Sequence, residues 1–215
     1  MWSHGRVDWN DRAAKAIGRY AGGETRGLDQ RQLTQLANAA WAAGLCLLMA
    51  GRADESAAWL RRSAERYRES WDGAPPDSWG RPIGAMKSLL LAGDDATGAA
   101  RWALDAGAAE GASPIGRYAG TLAYLILGQD VDAHELGKTI QHRDDFPETV
   151  ADAVVAIAAA DTSAYRRAIE KLLADFERRT DFLEDVPVAD TVLVLQRLAA
   201  TRKAAVELRS SPLLP

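Results

Sequence analysis

One cysteine and three histidines are all that this 215-residue chain holds of the residues that build disulfides, metal centres and thiol-based sites. Cys46 has no partner for an internal disulfide, which suits a reducing compartment, and its place in an apolar stretch predicts a buried, inert thiol. His134 and His142 flank Glu135 but lack the H-E-x-x-H spacing that puts two histidines on one metal, so solvated histidines are expected. There is no excess of basic charge either. With 26 Lys and Arg against 30 Asp and Glu, the net charge is -4 and the pI near 5.5, which disfavours binding to duplex nucleic acid through its phosphates. The longest apolar run, Ala37 to Ala50 broken by Asn38, is shorter than the ~20 residues a membrane span needs, so no membrane association is expected. Met1 to Asn10 carries two tryptophans but no apolar core of a signal peptide, so export is not expected and a cytoplasmic location is. Neither a G-x-S-x-G elbow, nor a phosphate-binding glycine loop, nor a Cys-His pair occurs. No catalytic residue, metal ligand or cofactor is therefore assigned.

What the chain does hold is helical periodicity. Hydrophobic residues make up 47% and charged residues 26%, enough for one sizeable core in a single domain spanning residues 1–215. The organising stretch is Asp29 to Trp71. Leu33, Leu36, Ala40, Ala43, Leu47 and Ala50 recur at three- and four-residue intervals and share one helix face. Asp29 followed by Gln32 reads as a capping box at its start, and Gly51 as its stop. Asp54 is placed to cap a return helix whose Ala57, Leu60, Ala64 and Tyr67 face inward, while Arg61, Arg62, Glu65, Arg66 and Glu69 face water. This is one antiparallel helical hairpin.

The remaining chain repeats that scheme. A short helix, Asp11 to Ala21, precedes the hairpin. After the Asp-Gly-Ala-Pro-Pro break at residues 72–76, a helix is expected from Asp77 or Ser78 to Gly93, with a return segment Ala96 to Gly107. Ser113 followed by Pro114 is the clearest helix start, and the helix it opens runs to Gly128. Further segments follow at Val131 to His142, Pro147 to Ala158, Ser163 to Thr180 and Pro187 to Thr201. Residues 1–27 read as an N-terminal capping segment, 28–180 as helical hairpins, and 181–215 as a C-terminal capping helix and tail.

Long-helix stops at Gly51, Gly93, Gly128 and near Asp161 recur in steps of about 33 to 42 residues, the period of helix-turn-helix solenoids. Gly44, Leu47, Gly51, Leu60 and Ser63 sit where tetratricopeptide repeats place small and apolar residues, and the chain resembles that family. It departs from the pattern at Arg68, where the family has proline, and at Pro82 and Met86. The resemblance implies an all-α fold of antiparallel helical hairpins stacked as a tetratricopeptide-like α-solenoid, a right-handed helical repeat. A second resemblance runs from Trp79 through Ala85 to Asp94, Tyr124 to Gly128, His142 and the closing Ser-Pro-Leu-Leu-Pro, and is to the all-helical immunity proteins of bacterial toxin systems. It implies a protein partner, a toxin, as the binding target.

All seven tryptophans lie in the first half of the chain. Burial accounts for Trp41 and Trp102; Trp2, Trp9, Trp71 and Trp79 are less readily assigned to a core. Because aromatic and Arg side chains dominate protein interfaces, Trp79 with Arg81, beside Trp71, is the expected protein-binding surface. The alternative for both is packing against the Pro75–Pro76 connection. Asp144 and Asp145, leading an acidic run with Glu148 and Asp152, form a second expected contact for a partner, against the simpler role of stabilising a helix N-terminus. Asp181, Glu184 and Asp185 are read as solvated charge. The function expected is a non-enzymatic protein–protein interaction module of the immunity class; the alternative is a helical enzyme or small-ligand-binding protein.

Overall fold

The period-3.6 pattern is realised throughout: the computed structural model describes residues 7–215, and these form ten α-helices and one 3-10 turn with no strand. The helices are α1 (Trp9–Gly23), α2 (Gln30–Met49), α3 (Ala53–Glu69), α4 (Gly80–Ala92), α5 (Thr97–Asp105), α6 (Pro114–Leu127), α7 (Asp130–Lys138), α8 (Glu148–Ala158), α9 (Thr162–Arg178) and α10 (Asp190–Ala200). Trp2 lies outside the described residues.

Local chemistry sets most of the boundaries. Asp29 accepts from the backbone N–H of Arg31 and Gln32 at 2.8 Å, while the Gln32 side chain accepts from the Asp29 N–H at 2.9 Å, completing the capping box. The Ser113 hydroxyl accepts from the Gly116 N–H at 3.1 Å, with Pro114 in the first turn of α6. Gly93 and Gly128 end α4 and α6 in the left-handed conformation, at φ 79° and 72°.

Helix α1 begins at Trp9, two residues before the expected Asp11, and three further starts differ in an informative way. Helix α3 begins one residue before Asp54, with Arg52 at the cap position and no side-chain bond there, so Asp54 acts as a first-turn acid on the helix dipole. Helix α4 begins only at Gly80, because Asp77 takes a left-handed φ of 60° and the chain must complete that turn first. Helix α10 begins at Asp190, beyond Pro187, and just before it the Ala189 N–H donates to the Leu213 carbonyl at 2.9 Å, which pins the C-terminal tail alongside.

Each helix from α1 to α9 packs on the next in sequence, and α4, α6 and α8 also touch across the intervening elements. Helices α2 and α3 pack closely: a Cβ on Gly44 would stand 2.6 Å from Leu60 Cγ, so only glycine lets these two backbones approach. Their buried serines are satisfied across the joint, Ser56 donating to the Gly44 carbonyl at 2.7 Å and Ser63 to the Ala37 carbonyl at 3.0 Å. After α9 the chain crosses back to α1 and α2, where Arg19 pairs with Glu184 at 3.0 Å and Arg12 donates to the Asp185 carbonyl. Helix α10 then lies against α4, α8 and α9 and buries Val192, Val194, Leu195, Leu198 and Ala199. It is part of the core, and the row of helices it covers is closed by it.

Candidate functional site

Of the residues expected at a protein-binding surface, Trp79 and Arg81 are buried, Trp71 is half-buried, and Asp144 and Asp145 are exposed. Trp79 is 6% exposed and Arg81 8% exposed. The Trp79 indole donates from Nε1 to Asp77 Oδ1 at 3.0 Å, packs 5.8 Å from the Trp71 ring, and covers Gly116. Arg81 donates from Nε to the Thr34 hydroxyl at 3.2 Å and from Nη2 to the Gln30 side chain, while its Nη1 meets no acceptor. Burial with no facing carboxylate holds its pKa below the usual guanidinium range. The physical reason is the late start of α4: the turn at Asp77 carries Trp79 inward, onto Gly116 of α6.

Asp144 and Asp145 sit in the loop before α8. Asp144 is exposed; Asp145 receives both Nε and Nη2 of Arg143 at 2.8 Å, which lowers its pKa. His142 pairs with Glu148 at 3.3 Å and His134 with Glu135 at 3.3 Å, on separate elements. Among the described residues no three His, Cys, Asp or Glu side chains converge on a metal-sized space. Cys46 is buried, and burial pushes its thiol from 9.0 to about 11.

Trp71 leads from the buried site to an open one. Its ring meets Trp102 edge to face, with centroids 5.6 Å apart, and Trp102 is half-buried at the edge of a groove of about 660 Å³ between α3, α4 and α5. Helix α3 rests on α2 and α4, and α5 rests on α4 and α6, so the surface of α4 between them is roofed only in part. Small side chains at the facing positions leave it open: Ala64 from α3, Ala85 from α4 and Ala99 from α5 form the floor with Leu89. The Arg68 guanidinium stacks 4.7 Å above the Trp102 ring, where a cation is held by the ring's negative face.

The charges along the groove are unevenly satisfied. At one end Arg61 grips Asp94 through Nε at 2.6 Å and Nη2 at 2.8 Å, a two-point bond that raises the pKa of the arginine and lowers that of the acid. Glu69 is bound to Arg66 at 2.6 Å. No carboxylate among the described residues pairs with Arg68, and no cation pairs with Glu65. Trp102, expected in the core, is only half-buried; its place on α5 beside Ala99, three residues earlier, is the available signal, but the same spacing describes a fully covered face.

A second polar cluster ties the fold together. Lys87 of α4 pairs with Asp190 and donates to the Thr191 hydroxyl of α10 at 3.0 Å, with its ammonium 5.7 Å from the Trp41 ring. Burial, helped by the Asp190 charge, keeps the Tyr67 and Tyr118 hydroxyls protonated well above the usual range. Lys87 and Asp190 are 13% and 18% exposed, so the cluster is packed rather than open, and its chemistry is that of a strut.

Comparison with protein-family models, with curated proteins and with solved structures found no match to this chain.

Proposed function

We propose that this protein is a non-enzymatic protein-binding module that offers the α3–α4–α5 groove to a protein partner, and that the partner is a toxin it neutralises as an immunity protein. The observation that carries the binding reading is the half-buried Trp102 with Arg68 stacked on it, at the mouth of an apolar-floored groove. Trp and Arg in such settings supply most of the energy of protein interfaces. The toxin is what the resemblance of residues 78–215 to immunity proteins implies. The hairpins α2–α3, α4–α5, α6–α7 and α8–α9 are, in the same reading, units of a tetratricopeptide-like solenoid; the successive packing and the α4–α6–α8 row support it.

A second reading, a small apolar ligand bound in the same groove, is favoured by its volume, which falls within the ~300–1,000 Å³ of small-molecule pockets. One experiment separates the two. Wild-type protein and the Trp102→Ala, Arg68→Ala variant, each shown to melt cooperatively, are used to capture partners from the native host. A protein retained by the wild type and lost from the variant, reconstituted from purified components, supports the module; growth rescue on co-expression with that partner supports the toxin. Equal retention of it by the variant removes the groove from the function. Native mass spectrometry of the wild type, revealing a stoichiometric small molecule that the variant lacks, favours the second reading.

A further inference from the structure

We infer that the C-terminal segment from Val186 to Pro215 is exchanged between two copies of this chain, giving a dimer in which each copy's α10 and tail seat on the body of the other. The hinge is the turn from Leu183 to Val186.

The segment is a unit set apart by a stretch that buries nothing. None of residues 177–185 is buried, and burial resumes at Val186 and Val188. Within the segment the Gln196 side chain donates to the Val206 carbonyl and the Ala189 N–H to the Leu213 carbonyl at 2.9 Å, so α10 and the tail hold each other. Its anchors lie in the body, all of them before the hinge. Lys87 pairs with Asp190, Arg202 donates to Asp130 at 2.9 Å, Tyr165 donates to Gln196 at 2.9 Å, and Ser211 donates to Glu177 at 2.8 Å.

The hinge is strained. The Val186 N–H donates to the Leu183 carbonyl at 3.2 Å, and the two residues between them, Glu184 and Asp185, both take a left-handed φ of 57°. A reversal with two successive left-handed residues suits Asn-Gly or Asp-Gly, and a glutamate is poorly fitted to it. Extending the hinge relieves both residues, and short hinges under strain favour exchange between copies. What holds the turn closed is exposed: Arg12 donates to the Asp185 carbonyl, and Arg19, about half exposed, pairs with Glu184 at 3.0 Å. Pairs of that kind contribute little. Extended, residues 179–185 reach ~23–25 Å, enough to carry the segment onto a neighbouring body.

The occupant of the vacated seat is fixed by what the seat requires. Val192, Leu195 and Leu198 are at most 2% exposed against the body, so the surface beneath them is not left open to water. A segment that matches this surface and also brings an acid to Lys87, an arginine to Asp130 and a hydroxyl to Glu177 is the segment itself, and a second copy supplies it. In the dimer those contacts are remade and only the hinge differs. The α3–α4–α5 groove is untouched, because Ala85 and Leu89 lie on the opposite side of α4 from Lys87. The inference therefore stands apart from the proposed function.

The test starts with wild-type protein unfolded in denaturant and refolded at low and at high concentration, its mass read by light scattering and native mass spectrometry. The expected result is monomer at low concentration and a dimer fraction that grows with the concentration of refolding. Glycine takes the left-handed conformation without steric cost, so Glu184→Gly with Asp185→Gly is expected to lower the dimer fraction about tenfold or more. The exchanged segment is identified with Lys87→Asp and Asp190→Lys, each of which sets like charges together in its own monomer. Refolded together, they regain an opposite pair at both joints only in a swapped heterodimer. That heterodimer is expected in about tenfold excess over either homodimer, with a melting temperature above that of either variant alone. Three outcomes overturn the inference: a wild type that stays monomeric after refolding at high concentration, a dimer fraction unchanged by the glycines, or a mixture of the charge variants that folds no better than its parts.

Discussion

Replacing Trp79 with alanine tests whether this residue is part of the core or part of a surface. The side chain is 6% exposed, its ring lies 5.8 Å from that of Trp71, and its indole N–H is held by Asp77. Truncation removes that packing and leaves a cavity that α4 and α6 cannot close, for a loss of ~3–5 kcal/mol. At ~2–4 °C per kcal/mol for a chain of this size, the melting temperature falls by ~6–20 °C. Gly116 sharpens the test. A methyl group on Gly116 would stand 2.8 Å from Trp79 Nε1 and 3.1 Å from Cε2, so Gly116→Ala costs ~1–3 kcal/mol through overpacking. In the Trp79→Ala background the obstacle is gone, and the same change gains up to ~1 kcal/mol from helix propensity. The double-mutant cycle, measured by calorimetry and urea titration, therefore shows a coupling of at least ~1 kcal/mol with a change of sign. A melting drop below ~2 °C for Trp79→Ala, or an equal effect of Gly116→Ala in both backgrounds, refutes the packing described for this site.

Arg81→Met is expected to be neutral or stabilising by urea titration, because it removes a buried cation that faces no carboxylate and keeps the aliphatic stem; a loss above ~2 kcal/mol would mean that its bonds to Gln30 and Thr34 outweigh its desolvation. Asp190→Ala strands Lys87 in its enclosed site and is expected to cost ~3 kcal/mol or more, most of which Lys87→Met in the same chain restores; additive losses would show that the pair is not a unit. The thiol of Cys46, raised by burial, stays protonated and shielded in the native state, so a thiol reagent at pH 8 leaves it unmodified until denaturant is added. Below pH 9.0 the thiol is neutral in both states and has no effect on stability. Above 9.0 the unfolded chain ionises first and folding weakens toward about 11, so the Cys46→Ala variant has the flatter stability profile between pH 9 and 10.

Much of the architecture was legible because it is written in local interactions. The Asp29–Gln32 box, the Ser113–Pro114 start and the left-handed stops at Gly93 and Gly128 act within one turn of chain, and each is found in place. Boundaries were misplaced where a longer-range contact competes. The residue before α10 is held by Leu213 in the tail, far along the chain, and α4 is preceded by the turn at Asp77 that carries Trp79 onto α6.

The candidate site was legible only in its ingredients. A stripe of spacing tells which face of a helix avoids water, but not whether another element arrives to cover it. Trp79 reads as a surface residue beside a proline break and is buried, because α6 supplies Gly116 as a flat seat. Trp102 reads as core and stands half-open, because α3 and α5 each rest on α4 and meet across small side chains that do not fill the space between them. The all-α class and the position of nearly every helix were thus determined by residues three and four apart, whose interactions survive in any packing. Which tryptophan is hidden, which arginine goes without an acid, and where a groove stays open were decided by helices brought together from distant parts of the chain. Burial is a property of the assembled surfaces, and no single segment carries it.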